Sequence, residues 1–152
     1  MVFGVSEEIS EIVESPKMDL ANIRFEKAKL LLVDDDPNSI KLLLNMLKPY
    51  DFDLITACNG IEAFEKLKYN SYNLIISDIK MSQVNGIQLI KNYRKEIQKS
   101  KTPFIAISAS VLREDEKKIY EAGFLSFLRK PVSKNALITE IMKYIKYSKL
   151  EI

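Results

Sequence analysis

Five short apolar runs punctuate the chain at 29–33, 51–57, 73–77, 103–107 and 125–129. An amphipathic stretch follows each of them. After the first, Pro37 opens a pattern that puts Ile40, Leu43, Leu44 and Leu47 on one helical face, and Pro49 stops it. Asn59-Gly60 leads a second helix with Ala63, Phe64 and Leu67 inward. Asn85-Gly86 precedes a third, carrying Ile90, Tyr93 and Ile97. A charged helix is predicted over 111–122 with Gly123 as its C-terminal cap, and Ser133 caps a last one that buries Leu137, Ile141, Tyr144 and Ile145. Near-continuous apolar strands alternating with helices predict an α/β fold, a parallel sheet covered on both faces. Residues 1–27 carry only a short amphipathic stretch (Ile9, Ile12, Val13) and Ser15-Pro16. They read as a leader or inter-domain linker, residues 28–148 as the folded domain, and 149–152 as a tail.

Composition narrows the chemistry. The 152 residues are 47% hydrophobic and 29% charged, as expected of a globular domain with a real core. The chain has no His, which excludes His-ligated zinc, Ser-His-Asp catalysis and a phosphohistidine of its own. One Cys (Cys58) excludes an internal disulfide or a CxxC centre. Four Gly, at 4, 60, 86 and 123, cannot spell a nucleotide-binding loop. A net charge of +2 is too small to argue for nucleic acid, although the acidic leader (Glu7, Glu8, Glu11, Glu14, Asp19) leaves the body mildly basic. No apolar run approaches the ~18 residues that a membrane span needs. The expected location is the cytosol, with no direct contact to membrane or nucleic acid.

In a parallel open sheet, ligands bind beyond the carboxyl ends of the strands. Here the first run ends in Asp34, Asp35 and Asp36, the third in Asp78, the fourth in Ser108 and the fifth in Lys130. A shared sheet edge would gather carboxylates, a hydroxyl and an ammonium. Two like charges ~4 Å apart at an effective dielectric of ~20 repel by about 4 kcal/mol. A hard cation relieves that repulsion, and oxygen-only donors select Mg²⁺ or Mn²⁺ over zinc. With a lysine and a hydroxyl alongside, the set suits metal-assisted phosphoryl transfer to or through an Asp. Charge crowding also predicts that Asp35→Asn stabilises the metal-free fold.

These residues resemble the receiver domain of two-component response regulators. The resemblance lies in Leu-Leu-Leu-Val-Asp-Asp-Asp-Pro over 30–37, Leu-Ile-Ile-Ser-Asp-Ile-Lys-Met over 74–81 with Asn85-Gly86, Phe-Ile-Ala-Ile-Ser-Ala over 104–109, and the Ala-Gly-Phe to Lys-Pro stretch over 122–131. It implies a flavodoxin-like, doubly wound (βα)5 fold with strand order 2-1-3-4-5. It implies Asp78 as phosphoacceptor, Asp35 as direct metal ligand with Asp34 beside it, and Asp78 and the Lys80 carbonyl completing the metal site. Ser108 is the implied switch hydroxyl, Lys130 the phosphate-pairing lysine and Phe127 the aromatic switch, with a cis Lys130–Pro131 bond. Ser82 stands where the family has Pro, and Lys80 and Ser110 occupy its variable positions. The implied partner is a histidine kinase dimerisation domain or a histidine phosphotransfer protein, and the family leaves room for a phosphorylation-dependent dimer. The isolated chain is then no enzyme beyond self-phosphorylation and self-dephosphorylation.

The 108–118 and 122–133 stretches are most similar to receivers of hybrid sensor histidine kinases, whose parent proteins include membrane-associated ones. Two other readings compete. A haloacid-dehalogenase-like phosphatase would use Asp34 as nucleophile with Asp36, Ser108 and Lys130, and would leave Asp78 idle. A receiver-like docking module would bind partners without being phosphorylated.

Overall fold

The apolar runs become strands because their side chains have two core faces to fill. A computed structural model describes residues 20–81, 83–97, 101–109 and 112–150. The leader's Ile9, Ile12, Val13 and Ser15-Pro16, as well as Ser82 and Ser110, lie outside these residues. In chain order the elements are β1 (Ile23–Phe25), β2 (Lys29–Val33), α1 (Pro37–Leu47), β3 (Asp53–Ala57), α2 (Gly60–Tyr69), β4 (Leu74–Asp78) and α3 (Gly86–Glu96). Then come β5 (Phe104–Ser108), α4 (Arg113–Ala122), β6 (Ser126–Arg129), α5 (Lys134–Ile141) and β7 (Tyr147–Lys149).

Five strands form one sheet in the order β3-β2-β4-β5-β6, every pairing parallel. Counted from Lys29, this is the expected 2-1-3-4-5. The period of two sorts each strand between the faces. Leu30 and Leu32 face α1 and α5, packing with Leu43, Leu47, Leu137, Ile138 and Ile141. Leu31 and Val33 face the other helices, packing with Ala63, Leu67, Leu89, Ile90 and Ile119. Every residue of β4 and β5 is buried.

Local chemistry starts most helices where the sequence predicts, although the last ends at Ile141, short of the expected Tyr144 and Ile145. Asp36 caps α1 by accepting from the Asn38 amide, and Pro37 follows as the first helical residue. Asn59 and Asn85 cap α2 and α3, and Ser133 caps α5. Gly123 ends α4 with φ 121°, a conformation that glycine adopts without strain. The first helix stops at Leu47, two residues before Pro49: Lys48 keeps a helical conformation (φ −55°, ψ −36°), and the proline that follows has no N–H with which to continue the helix. Lys130–Pro131 is cis.

The end of the stretch read as a leader joins the folded body. Leu20–Asn22 form a 3₁₀ turn, and β1 pairs antiparallel with β7, Phe25 opposite Tyr147. Leu150 N–H donates to the Asn22 carbonyl (2.7 Å) and Glu26 N–H to the Lys146 carbonyl (2.9 Å). Leu20, Ile23 and Phe25 are buried in the core on the α1 and α5 side. Phe25 packs on Phe52 at 4.9 Å and Tyr50 at 5.4 Å between ring centroids, and the Tyr50 hydroxyl donates to the Leu20 carbonyl. Apolar burial, rather than the few ladder bonds, carries this ribbon, since an isolated two-stranded pair is marginal in water.

Truncating Phe25 to Ala is therefore expected to lower the unfolding free energy by about 3 kcal/mol. The exposed neighbour Arg24→Ala is expected to change it by less than about 0.5 kcal/mol. Chemical denaturation checks both through the midpoint, and equal midpoints for Phe25→Ala and the unaltered protein would show the ribbon to be uncoupled from the core.

Candidate functional site

The parallel sheet brings the carboxyl ends of β2, β4, β5 and β6 to one rim, with their terminal side chains. Asp34 follows β2 and is 2% exposed. Its Oδ1 accepts from the Asp36 N–H at 2.9 Å, and its Oδ2 accepts from Lys130 Nζ at 2.8 Å. Asp78 ends β4 and is 6% exposed; its Oδ2 accepts from the same Nζ at 3.2 Å. Residues 52 and 96 positions apart from the lysine thus share one ammonium. A third acceptor, the Ser39 hydroxyl on the first turn of α1, lies 3.3 Å away.

Carboxylate oxygens of Asp34, Asp35 and Asp78 all lie within 4.8 Å of one another. Asp34 and Asp78 are buried and Asp35 is exposed, so the set opens to solvent at Asp35. Beyond it lies a cleft of about 560 Å³ lined by Asp35, Lys80, Asn85, Asp115 and Lys118 over an apolar floor. Oxygen-only donors at this spacing fit a hard divalent cation.

Electrostatics single out Asp78. Burial pushes its carboxyl above the ordinary aspartate range, and the neighbouring Asp34 charge adds to the rise; Lys130 and the Ile79 N–H oppose it without cancelling it. Burial pulls the Lys130 ammonium down, but its hydrogen bond to Asp34 and the charges of both acids more than compensate and hold it above the ordinary lysine range. Of the three clustered acids, Asp78 is the one lifted by burial and by the Asp34 charge, while Asp35 is exposed to solvent.

Ser108 ends β5 with its hydroxyl buried and without a hydrogen-bond partner. That is a costly state, about 1–3 kcal/mol for an unsatisfied polar group. Phe127 on β6 is half-buried, packed against the core on the α4 side, and the Arg129 guanidinium lies 5.4 Å from its ring centre. Lys80 follows β4 and rims the cleft.

Two glycines fix the loop after Asp78. A Cβ on Gly86 would lie 2.5 Å from the Asp78 carbonyl oxygen, and one on Gly60 would lie 2.3 Å from the Val84 carbonyl. Both contacts are impossible for a larger residue, so α2 and α3 close on the loop only because these positions lack side chains. Sequence reasoning found Asn85-Gly86 as a helix start but not its steric role. It also missed Ser39, Asp115 and Lys118, whose placement depends on helix rotation that no motif encodes.

A doubly wound sheet with an acidic, lysine-bearing rim is the receiver type of α/β fold. The family model for the response regulator receiver domain matches residues 30–142. The chain is 39% identical over 116 residues to the transcriptional regulatory protein GlrR of Escherichia coli, covering 75% of this chain and 25% of that protein. It is 35% identical over 127 residues to hybrid signal transduction histidine kinase L of Dictyostelium discoideum, covering 80% of this chain and 7% of that one. The chain thus spans a quarter or less of both relatives. Among solved structures, the chemotaxis protein CheY4 of Vibrio cholerae superimposes with a TM-score of 0.73 at 25% identity, over 78% of this chain and 99% of that one. The receiver domain of Francisella response regulator 1452 gives 0.70 at 30% identity, over 77% and 95%. The chain belongs to the response regulator receiver domain family and is a receiver domain of two-component signalling.

The raised Asp78 pKa has a definite sign for stability. The native state holds the Asp78 proton more tightly than the unfolded chain does, so ionising this group costs stability as pH rises from the ordinary to the elevated carboxyl pKa. Asp78→Asn is expected to raise the metal-free melting temperature by about 3–6 °C at pH 7, with the gain shrinking as pH falls through the elevated pKa. Lys130→Met is expected to destabilise by about 2 kcal/mol, less than a fully buried pair because the lysine side chain is 22% exposed. Thermal melts across pH 4–8 in EDTA check both signs.

Proposed function

We propose that the chain takes a phosphoryl group onto Asp78 from a phosphohistidine on a histidine kinase dimerisation domain or a histidine phosphotransfer protein. An Asp78 carboxylate oxygen bonds to phosphorus as the phosphorus–nitrogen bond breaks. The bonding pair leaves with the imidazole, and the product is an acyl phosphate. One observation carries the reading. Asp78 is a buried acid, lifted in pKa, sharing Lys130 Nζ with Asp34 at the edge of an open cleft.

Each residue has a task in this reading. Lys130 places a positive charge beside the incoming phosphoryl oxygens. Asp34, Asp35, Asp78 and the Lys80 carbonyl would hold Mg²⁺ or Mn²⁺, which when bound neutralises charge on those oxygens. The receiver of the sensor histidine kinase PA1611 from Pseudomonas aeruginosa has magnesium coordinated in its active-site cleft. The Ser108 hydroxyl, otherwise unsatisfied, gains a partner in the phosphoryl group. That gain is a contact present in one state and absent in the other, which is what a switch needs. As Ser108 moves in, Phe127 turns into the space released. The surface made by α4, β6 and α5 changes with it, and phosphorylation-dependent dimerisation would use that surface. Arg129 on β6 pairs with Glu116 on α4 at 2.9 Å, and Ser126 on β6 contacts Glu140 and Tyr144 at the α5 side, so both helices feel β6.

The phosphatase reading is the less favoured one, because Asp34 holds the tighter contact to Lys130 (2.8 Å) and Asp36 serves as the cap of α1. We place the chain in the cytoplasm, as part of a hybrid histidine kinase, with residues 28–148 as its receiver, the β1–β7 ribbon packed against it, and the residues ahead of Leu20 as the joining segment. The resemblance of the 108–118 and 122–133 stretches supports that context.

The test is to incubate the protein with acetyl phosphate and Mg²⁺ and to map the adduct by mass spectrometry. We expect one phosphate on Asp78, lost in Asp78→Asn and still found on Asp78 in Asp34→Asn. A phosphate on Asp34 would support the phosphatase, and no adduct in the presence of Mg²⁺ would support a docking module.

A further inference from the structure

We infer that Ser39 is a positioning residue for Lys130, resting on the reading of Asp78 as the acceptor. An ammonium has three protons and no lone pair, so it can only donate. Lys130 Nζ meets three acceptors: Asp34 Oδ2 at 2.8 Å, Asp78 Oδ2 at 3.2 Å and Ser39 Oγ at 3.3 Å. Its donor capacity is filled, and Ser39 supplies the one neutral acceptor. The direction of the Ser39 hydroxyl follows. Its lone pair is taken by Lys130, and its own proton points to Asp36 Oδ2 at 3.4 Å. Asp36 is itself fixed, because its other oxygen caps α1 through the Asn38 N–H. A relay therefore runs from the helix cap through Ser39 to the lysine.

The consequence concerns phosphoryl arrival. Asp34 and Ser39 tie two of the three protons on the α1 side of the rim. The third N–H, directed at Asp78 Oδ2, can redirect its hydrogen bond to a phosphoryl oxygen without the side chain swinging and without giving up its proton. The lysine is thus held in the orientation that the reaction needs, and the catalytic charge costs little rearrangement when used. Ser39 and Lys130 meet at the edge of a largely apolar cleft of about 300 Å³ that Leu42 and Leu43 also line, so few other polar groups compete for the lysine on this side.

The Ser39→Ala and Ser39→Thr variants test this on the full chain. The first readout needs no phosphorylation: the ¹⁵N–¹H signal of the Lys130 ammonium, identified by its loss in Lys130→Arg. We expect it to be visible at low temperature in the unaltered protein and in Ser39→Thr, and lost to fast exchange in Ser39→Ala. The second readout is the initial rate of Asp78 phosphorylation by acetyl phosphate at saturating Mg²⁺. We expect Ser39→Ala to slow it roughly threefold to tenfold, the loss of one charge-assisted hydrogen bond. Ser39→Thr should stay within about twofold, and Ser39→Ala should cause no further loss in a Lys130→Ala background. An unchanged ammonium signal in Ser39→Ala, or an equal loss in the Lys130→Ala background, overturns the inference. A rate fall matched by a large drop in melting temperature and not restored by Thr shows a structural role and overturns it too. Failure of the unaltered protein to phosphorylate on Asp78 defeats the acceptor reading instead, while the ammonium signal still reports whether Ser39 holds Lys130.

Discussion

Two buried carboxylates sharing one ammonium constrain this molecule more than any other contact. Asp34 and Asp78 come from adjacent strands and would repel if left together in a poorly solvated rim. Lys130, arriving from the far end of the sheet order, compensates only in part: Asp78 still sits above the ordinary carboxyl range. The residual tension makes the site receptive. A divalent cation among these carboxylates would lower the energy of an arrangement that the fold has already assembled. The stability foregone at the rim is supplied by the two apolar faces of the sheet, where β4 and β5 are buried along their whole length.

The same rim joins chemistry to surface. Ser108 lies one strand from Asp78 and has an unsatisfied hydroxyl. Phe127 lies one strand further, on β6, whose other contacts reach α4 through Arg129 and α5 through Ser126. Asp78 is therefore linked to the outer helices by a short run of neighbouring strands and side-chain contacts. The loop after Asp78 is held by Gly60 and Gly86, where backbone approaches too closely for any Cβ.

Much of this was legible in the sequence because strand ends in a parallel sheet converge. Asp34, Asp78, Ser108 and Lys130 could be placed at one edge from the apolar runs that precede them, without knowing the strand order. The strand order itself came from resemblance, since periodicity does not say which strands are neighbours. The β1–β7 ribbon was not legible: Ile23–Phe25 is three residues long, too short for alternation to stand out, and its partner lies more than a hundred residues away. Ser39 was hidden for another reason. A serine in a first helical turn reads as an ordinary helix-start residue, and only the rotation of α1 turns it to Lys130. Which of the adjacent Asp34 and Asp35 faces solvent was not legible either, because that depends on how the chain turns out of β2.

The central claim is that Asp78 is an acid held above its ordinary pKa by burial and Asp34, and that a divalent cation relieves it. Following the Asp78 side-chain carboxyl by ¹³C NMR through a pH titration measures this directly. The account predicts an elevated midpoint in EDTA that falls when Mg²⁺ is added. An ordinary aspartate midpoint, unmoved by Mg²⁺, would contradict it.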